Sequence, residues 1–330
     1  MKKPLTTLIV TGFVLFIFLI FIGCETDSEY PEWGVEGITL FGRIPHWSPD
    51  GNSILFADDN PLNAGLWTWS LTDGVNRMLD SLPSHNWDYC WSPDGRMIAF
   101  SAPGEPGTSD TGIWLYKIAE DTLLNILDRG KDVSWYHDAS SIVARLDQPV
   151  TGAPGIYRVD INSSETEFIC EGYFPKASPT EPWIAYNESE INGRLYIIDE
   201  MFESVEVAEL GAQLCIWSAD GKTLCCIVNN YLSEILNGRL FRIEYSDFSW
   251  NAEEVVNDKA SYPAPNRNGS LIAYMAMNNN ASWEGIKLFG NGGDGILISA
   301  YGFNPEFNPV DDMYIVSDTP DNGLVLFERR

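Results

Sequence analysis

Polar and apolar positions repeat along this chain with a nearly constant period from residue 37 onward. In each unit an apolar stretch ends at an anchor residue, a tight polar turn follows, and alternating segments such as RMIAFS and GIWLYKI come next. These segments are rich in aromatic and β-branched residues, which is typical of strands. The anchors are Trp47, Trp91, Trp135, Ala177, Trp217, Pro265 and Phe307, at spacings of 44, 44, 42, 40, 48 and 42 residues. Four short strands per unit of about 40–45 residues indicate a propeller blade. We therefore predict an all-β, seven-bladed β-propeller, with a six-bladed ring as the alternative.

The most regular part of each unit is its turn, which reads WSPDG at 47–51 and 91–95 and WSADG at 217–221. Ser, Pro and Gly occupy the positions that a type I turn favours, and Asp can bond to the local backbone. The anchor Trp is large enough to wedge between neighbouring blades. A catalytic motif would not need seven copies, so we interpret the Ser-Asp-Gly grouping as structural.

The two ends of the repeat region predict how the ring closes. The last unit stops after GLVLFERR, its third strand, and a spare strand at Ile38–Gly42 precedes the first anchor. Pairing this N-terminal strand with the last blade would leave no open sheet edge. The propeller is therefore expected over residues 37–330.

The WSPDG…IAFS…GIWLY pattern resembles the TolB-type β-propeller repeat of bacterial envelope proteins and the propeller domains of prolyl-oligopeptidase-like peptidases. The resemblance covers about residues 37–330 and implies a fold much more specifically than a function. The G-x-S-x-G motif that such peptidases need is not found, and the α/β domain that precedes the propeller in TolB has no counterpart in the sequence. We therefore expect neither peptidase activity nor a role in the Tol system.

The N-terminus combines MKK with an apolar run from Leu8 to Ile22 and the junction FIGC, which ends at Cys24. This arrangement resembles a bacterial lipoprotein signal peptide. We predict a signal peptide over residues 1–23, lipidation of Cys24 and an acidic linker over 24–36. An uncleaved membrane anchor is the alternative, since the run is close to the length of a spanning helix. Both interpretations place residues 25–330 outside the cytoplasm and tether them to a membrane of the cell envelope.

The charge balance excludes one class of partner. The sequence has 47 acidic and 20 basic residues and a formal net charge of −27. Because phosphate binding needs a basic face, nucleic acid is not expected as a partner. Acidic residues are spread over the loops on both faces, so we interpret the charge as a solubility feature.

Few residues offer catalytic or metal-binding chemistry. The histidines are His46, His85 and His137, and no zinc-binding or redox motif contains them. We expect no metal site, no cofactor and no catalytic residue. His46 and His85 fall on adjacent units, however, so a shared site in the channel remains the alternative. Cys215 and Cys225 flank the WSADG turn and could lie close together, although packing as small hydrophobic residues is the expected role.

Long, variable loops follow the second strand of several units and carry exposed-looking aromatic residues, notably Tyr231 and Trp283. Variable loops on a rigid scaffold usually hold binding specificity. We therefore predict a non-catalytic, membrane-tethered binding or scaffolding propeller, with Tyr231 and Trp283 contacting an unidentified envelope protein or glycan. The alternative is a carbohydrate-active or other envelope enzyme with its site at the mouth of the channel.

Overall fold

The computed structural model describes residues 33–58, 65–74, 76–79, 88–102, 112–147, 149, 152–190, 193–201, 203–208, 212–228, 238–247, 249–277, 282–290, 293–300, 302–319, 321 and 323–329. Over these residues the chain is all-β. The strands are β1 Trp33–Phe41, β2 Arg43–Trp47, β3 Ser53–Asp58, β4 Gly65–Ser70, β5 Asn76–Leu79, β6 Tyr89–Trp91, β7 Met97–Ala102, β8 Gly112–Lys117, β9 Thr122–Leu127, β10 Lys131–Trp135, β11 Ser141–Leu146, β12 Gly155–Asp160, β13 Thr166–Cys170, β14 Tyr173–Ala177, β15 Ile184–Asn187, β16 Leu195–Ile198, β17 Ser204–Ala208, β18 Ala212–Trp217, β19 Thr223–Val228, β20 Gly238–Ser246, β21 Ser249–Pro265, β22 Ile272–Met277, β23 Trp283–Gly290, β24 Gly293–Ser299, β25 Phe303–Phe307, β26 Tyr314–Asp318 and β27 Gly323–Arg329. No helix in this described part of the chain has the length and apolar character needed to cross a membrane.

These strands form antiparallel groups of four. Five sheets contain four strands each: β2–β5, β6–β9, β10–β13, β14–β17, and β25–β27 together with β1. The sixth sheet runs from β18 to β24. Its strand β21 is 17 residues long and serves both as the outer strand of β18–β21 and as the inner strand of β21–β24. The described strands therefore make seven four-stranded groups.

The groups are arranged in a ring. The first strands contact one another in the order β2, β6, β10, β14, β18, β21 and β25, and β25 contacts β2 again. Because each first strand meets the next one around the cycle, these strands surround the central axis as the inner strands of a propeller do. The all-β propeller predicted from the sequence is confirmed.

The N-terminal strand closes the ring as predicted. β1 lies antiparallel to β27, with Trp33 opposite Arg329 and Ile38 opposite Leu324. It supplies the fourth strand of the last group, so the outer edge of β27 is covered. The strand begins at Trp33, four residues before the expected start of the propeller at residue 37, because the pairing continues to the end of β27. Residues 1–32, including the predicted signal peptide and Cys24, lie outside the described residues.

The repeated turns have the structural role predicted for them. In the first turn the Gly51 N–H donates to the Ser48 carbonyl at 2.9 Å, and the Ser48 hydroxyl donates to Asp50 Oδ1 at 2.6 Å. The other two turns repeat these bonds. The glycines that close them have left-handed φ angles of 71° at Gly51, 70° at Gly95 and 72° at Gly221. Only glycine adopts such angles without steric cost, which explains the fixed motif.

The hydrophobic core is divided among the interfaces between adjacent groups. Each of the seven described interfaces contains a buried apolar cluster. In the cluster that joins the first and last groups, Trp47 and Ile54 pack with Val316 and Leu324. Burial of such side chains contributes roughly 1.5–3 kcal/mol each. The ring is therefore held together between its sheets, and the inner strands are left to line the channel.

A disulfide joins two strands of the fifth group, which corrects the expectation that Cys215 packs as a small hydrophobic residue, and its partner is not the Cys225 that the alternative suggested. Cys215 bonds to Cys226, while Cys225 is a buried free cysteine. The reason is the register that the turn imposes: Ser218 pairs with Thr223, and extending that pairing places Cys225 opposite Ile216. Neighbouring side chains of a strand point to opposite faces, so only Cys226 meets Cys215.

Candidate functional site at the channel mouth

A repeated backbone irregularity marks the inner strands. Six of the seven described inner strands have a register shift just before the anchor residue. At each shift, a residue other than glycine adopts a positive φ angle: Ile44 at 51°, Asp132 at 55°, Phe174 at 53°, Leu214 at 48°, Tyr262 at 43° and Asn304 at 45°. Bulges and left-handed residues of this kind re-aim side chains and are frequent beside functional sites. We call these six residues, together with Asp88 at the equivalent position of the second group, the bulge ring.

Asp318 and Asn304 form the centre of the candidate site. Asp318 ends β26, the second strand of its group, and is 3% exposed. Its Oδ2 accepts the Asn304 side-chain N–H at 2.9 Å and the Ile44 backbone N–H at 2.8 Å. Asp318 Oδ1 and Asn304 Oδ1 are both buried without a hydrogen-bond partner among the described residues. Leaving such acceptors unpaired costs about 1–3 kcal/mol each, which points to a functional requirement.

The surroundings of Asp318 move the pKa of its carboxyl group toward neutral pH. Burial raises the pKa of Asp318 to about 6, although the two N–H donors and the Arg43 charge act in the opposite direction. Burial also raises the pKa of Tyr262, and the Asp318 charge adds to this effect while Arg43 opposes it. A carboxyl group with a pKa near 6 can both give and take a proton close to neutral pH.

Tyr89 borders the same group. Its hydroxyl donates to the backbone carbonyls of Arg43 at 3.0 Å and Ile44 at 2.5 Å, so it fixes the bulge of the neighbouring inner strand. Burial raises the pKa of Tyr89 well above its ordinary value, and the charges of Asp318 and Glu306 contribute to this rise. Tyr89 is therefore a neutral, positioned donor.

His46 lies one residue before the first anchor and is paired with a carboxylate. Its Nδ1 is 2.7 Å from Glu306 Oε2, and Glu306 Oε1 accepts the Trp47 backbone N–H at 2.9 Å. The His46 ring meets the Tyr89 ring edge to face, with centroids 5.2 Å apart. His85, which only the alternative interpretation placed in a shared site with His46, lies outside the described residues. His137 lies in the turn that joins β10 to β11, where its ring contacts the Tyr136 ring.

Two carboxyl groups, those of Asp88 and Asp132, belong to the bulge ring. Asp88 Oδ2 accepts the Val133 N–H at 2.7 Å and the Ser101 hydroxyl at 3.0 Å, while Asp132 Oδ2 is buried without a partner among the described residues. Burial, followed by the Asp88 charge, raises the pKa of Asp132 to about 6, and Lys176 opposes the shift. Asp132 on β10 and Asp318 at the end of β26 are thus two separate carboxyl groups with a pKa of about 6.

Trp283 lies near the Asp318 group. It begins β23, is 40% exposed and meets the Phe303 ring edge to face with centroids 5.9 Å apart. Phe303 immediately precedes Asn304 and pairs with Asp318 in the sheet. The role of Trp283 as a binding residue stays a prediction. Tyr231, the other predicted anchor, lies outside the described residues.

Sequence reasoning missed Asn304, Tyr262 and the special position of Asp318, which it treated only as one acidic loop residue among many. A signal was present, since the bulge ring lies three residues before each anchor. The residues of the bulge ring differ in chemical type, however, so the sequence alone did not distinguish these positions from their neighbours. The backbone irregularity, which only the structure shows, is what unites them.

Comparisons with known proteins identify the fold. No protein-family model and no curated protein matches the chain. Among solved structures, an oligogalacturonate lyase in complex with manganese is similar at a TM-score of 0.65 and 15% identity, covering 91% of this chain and 98% of the lyase. The β-propeller domain of Myceliophteria thermophila Cps50 (Swd1) is similar at a TM-score of 0.66 and 12% identity, over 90% of this chain and all of that domain (100%). A structure assigned to TolB from Agrobacterium tumefaciens reaches a TM-score of 0.50 and 19% identity, over 67% of this chain and 83% of its own. The chain therefore has a TolB-like β-propeller fold.

These comparisons correct the function predicted from the sequence. A non-catalytic scaffold was expected, but the similar structures with high coverage include an enzyme that acts on a carbohydrate. The alternative, a carbohydrate-active enzyme, agrees better with them. Identities this low show the fold alone, so the activity has to be argued from the site.

The manganese of that lyase raises the question of whether the residues of this chain suit a metal. Among the described residues, no group of three or more His, Cys, Asp or Glu side chains is arranged to hold a metal ion. His46 directs Nδ1 toward Glu306. The described residues do not by themselves fit a metal centre, and the chemistry is better sought in the buried carboxyl groups.

Proposed function

We propose that this chain is a carbohydrate-active enzyme that cleaves a glycosidic linkage at the mouth of the propeller channel. The observation that carries the proposal is the pair of buried, unpartnered acceptor oxygens, Asp318 Oδ1 and Asn304 Oδ1. Sugar hydroxyl groups are donors that would satisfy both oxygens at once. A site built to receive such donors discriminates strongly against ligands that lack them.

Asp318 is the proposed proton-transfer group. Its pKa of about 6 leaves both protonation states populated near neutral pH, which suits a general acid or base. Because Oδ2 accepts the N–H groups of Asn304 and Ile44, the proton of the neutral form would reside on Oδ1, the oxygen without a partner among the described residues. Glycosidic cleavage needs a proton delivered to the leaving oxygen in hydrolysis, or removed from a sugar carbon in elimination. Asp318 is positioned for one proton transfer of either kind.

Trp283 is the proposed sugar-binding platform. Its ring is partly exposed and is held by the edge contact to Phe303, next to Asn304. An indole ring offers a large, rigid apolar face with little entropy to lose on binding, which suits the apolar face of a pyranose ring. We therefore propose that the partner of Trp283 is a glycan.

A product-resolved activity screen tests the proposal. The full chain is incubated with a panel of neutral and acidic oligosaccharides, and products are followed both as new reducing ends and as unsaturated sugars. The variant Asp318→Asn should lose at least about a hundredfold in kcat, in line with the usual size of general acid–base catalysis. Trp283→Ala should mainly raise KM. The matched control is Asp220→Asn, an acid-to-amide change in a turn on the opposite face, which should keep wild-type rates.

Two results would overturn the proposal. One is the absence of cleavage across the whole panel by protein that unfolds cooperatively. The other is an Asp318→Asn variant that is folded and as active as the wild type.

We also propose that the protein is exported and tethered to the envelope through a lipid on Cys24. The motivation is the Gly23–Cys24 junction behind an apolar run. The Cys215–Cys226 disulfide supports an oxidising compartment. Mass spectrometry of the purified protein should find a diacylglycerol on Cys24, and Cys24→Ser should remain unprocessed. A wild-type chain that retains residues 1–23 without lipid would favour the uncleaved anchor instead.

A further inference from the structure

A cleft of about 380 Å³ lies at the ends of the fourth and fifth groups, away from the Asp318 site. It is bordered by the hairpins that join β16 to β17 and β20 to β21. Both hairpins lie on the face that carries the WSPDG-type turns, because strands in each group alternate in direction. The cleft is of the size that small-molecule sites commonly have.

One wall of the cleft is aromatic. Trp183, Tyr245 and Trp250 line it, and their ring centroids are 4.8 to 5.3 Å apart at interplanar angles of 54° to 75°. Tyr245 and Trp250 are cross-strand neighbours near the tip of the β20–β21 hairpin, and Trp183 comes from the adjacent group. Tyr245 is 43% exposed, so part of this aromatic surface faces the cleft uncovered.

The other wall is acidic. Asp199, Glu203 and Glu206 line it. Asp199 Oδ1 accepts two backbone N–H groups of its own hairpin, and Glu206 pairs with Arg194 at 3.1 Å. Subtracting the Arg194 charge from the three carboxylates leaves this wall with two negative charges. Glu203 makes no side-chain hydrogen bond to another described residue and is exposed.

We propose that this cleft binds a small organic cation of the alkylammonium class. Aromatic faces attract ammonium groups through the ring quadrupole, and nearby carboxylates add a direct charge attraction. Both sets of residues line the same cleft, which is large enough for a small ligand. The formal net charge of −27 further raises the local concentration of cations. This site does not depend on the proposed carbohydrate chemistry.

Isothermal titration calorimetry of the full chain with choline tests the proposal. The matched probe is 3,3-dimethylbutan-1-ol, which has the shape of choline without its charge and should bind much more weakly. Tyr245→Leu should weaken choline binding on the order of fivefold, the size of a cation–π contact at a partly exposed site. Tyr245→Phe keeps the ring and should retain binding. Glu203→Gln should also weaken binding, whereas Glu167→Gln, the same change at an exposed position on the third group, should not.

Three outcomes would overturn the inference. The first is binding of the neutral alcohol as tight as that of choline, which would make the cleft simply apolar. The second is an unchanged affinity in Tyr245→Leu and Glu203→Gln, which would place choline elsewhere. The third is binding of Nα-acetyl-lysine amide without binding of choline, which would point to a lysine side chain of a protein partner, rather than a small free cation, as the occupant.

Discussion

The indole N–H of Trp47 donates to the backbone carbonyl of Glu306, 259 positions away, at 3.2 Å. Trp91, Trp135 and Trp217 repeat this bond to His46, Cys90 and Lys176, which are the residues just before the preceding anchors. Each of the four Trp anchors thus reaches the neighbouring group at one fixed register. Among these four indole bonds, the one from Trp47 joins the first group to the last.

Replacing Trp47 by phenylalanine should therefore lower the free energy of unfolding by about 1–3 kcal/mol, because the Glu306 carbonyl would lose its donor while most of the aromatic packing remains. Trp135→Phe should have an effect of the same size. Trp69→Phe is the control, since Trp69 packs against the same cluster as Trp47 but makes no indole hydrogen bond to a described residue. Urea denaturation followed by circular dichroism measures all three. Equal losses at Trp47 and Trp69 would show that ring volume, rather than the bond, determines the effect.

The closing strand gives a second prediction. Deleting residues 33–41 removes β1 and exposes the outer edge of β27, so the thermal midpoint should fall and the protein should aggregate. Deleting residues 25–32 is the matched control, because it shortens the chain by a similar length and leaves β1 intact. Light scattering during a thermal ramp compares the two. A β1 deletion that stays monomeric with an unchanged midpoint would contradict the role of this strand.

The repeat and its turns were predictable because both depend on local chemistry. The glycines at 51, 95 and 221 need left-handed angles, and the anchor Trp residues are large enough to bridge two groups. The bulge ring was not predictable for the opposite reason. Ile44, Phe174 and Leu214 have no local preference for positive φ angles, so contacts around the ring must impose that conformation. The acceptor pair of Asp318 and Asn304 depends on those bulges and therefore could not be predicted from the sequence either.

The disulfide leads to a third prediction. Alkylation of the unfolded, unreduced protein should leave Cys215 and Cys226 unlabelled and should label Cys90, Cys170 and Cys225. Cys215→Ser and Cys226→Ser should each lower stability, by the typical 2–4 kcal/mol of a lost disulfide or somewhat less for this short loop. Cys225→Ser is the control that keeps the crosslink. Peptide mapping that finds Cys225 in the bridge would contradict the register described for β18 and β19.

The last prediction concerns pH and the two raised carboxyl groups. The pKa of Asp318 and that of Asp132 each rise from 3.8 to about 6 on folding. The folded protein therefore binds more protons than the unfolded chain between about pH 4 and pH 6. Stability falls with rising pH wherever the folded state holds the excess protons. The contribution of each group is complete below its unfolded pKa and is lost as pH rises through 6. A shift of this size corresponds to on the order of 3 kcal/mol per group.

Asp318→Asn should remove one of these two contributions. The free energy of unfolding of this variant, relative to that of the wild type, should therefore increase as pH rises from 4 to 7. Asp132→Asn should behave in the same way. Asp50→Asn is the opposite control, because hydrogen bonds from Ser48 and the Asn52 backbone outweigh burial and lower the pKa of Asp50, so its contribution is lost as pH falls. Urea unfolding at four pH values separates the two signs. A difference between Asp318→Asn and the wild type that stays constant from pH 4 to 7 would mean that Asp318 titrates normally, and the proposed proton transfer would then lose its physical basis.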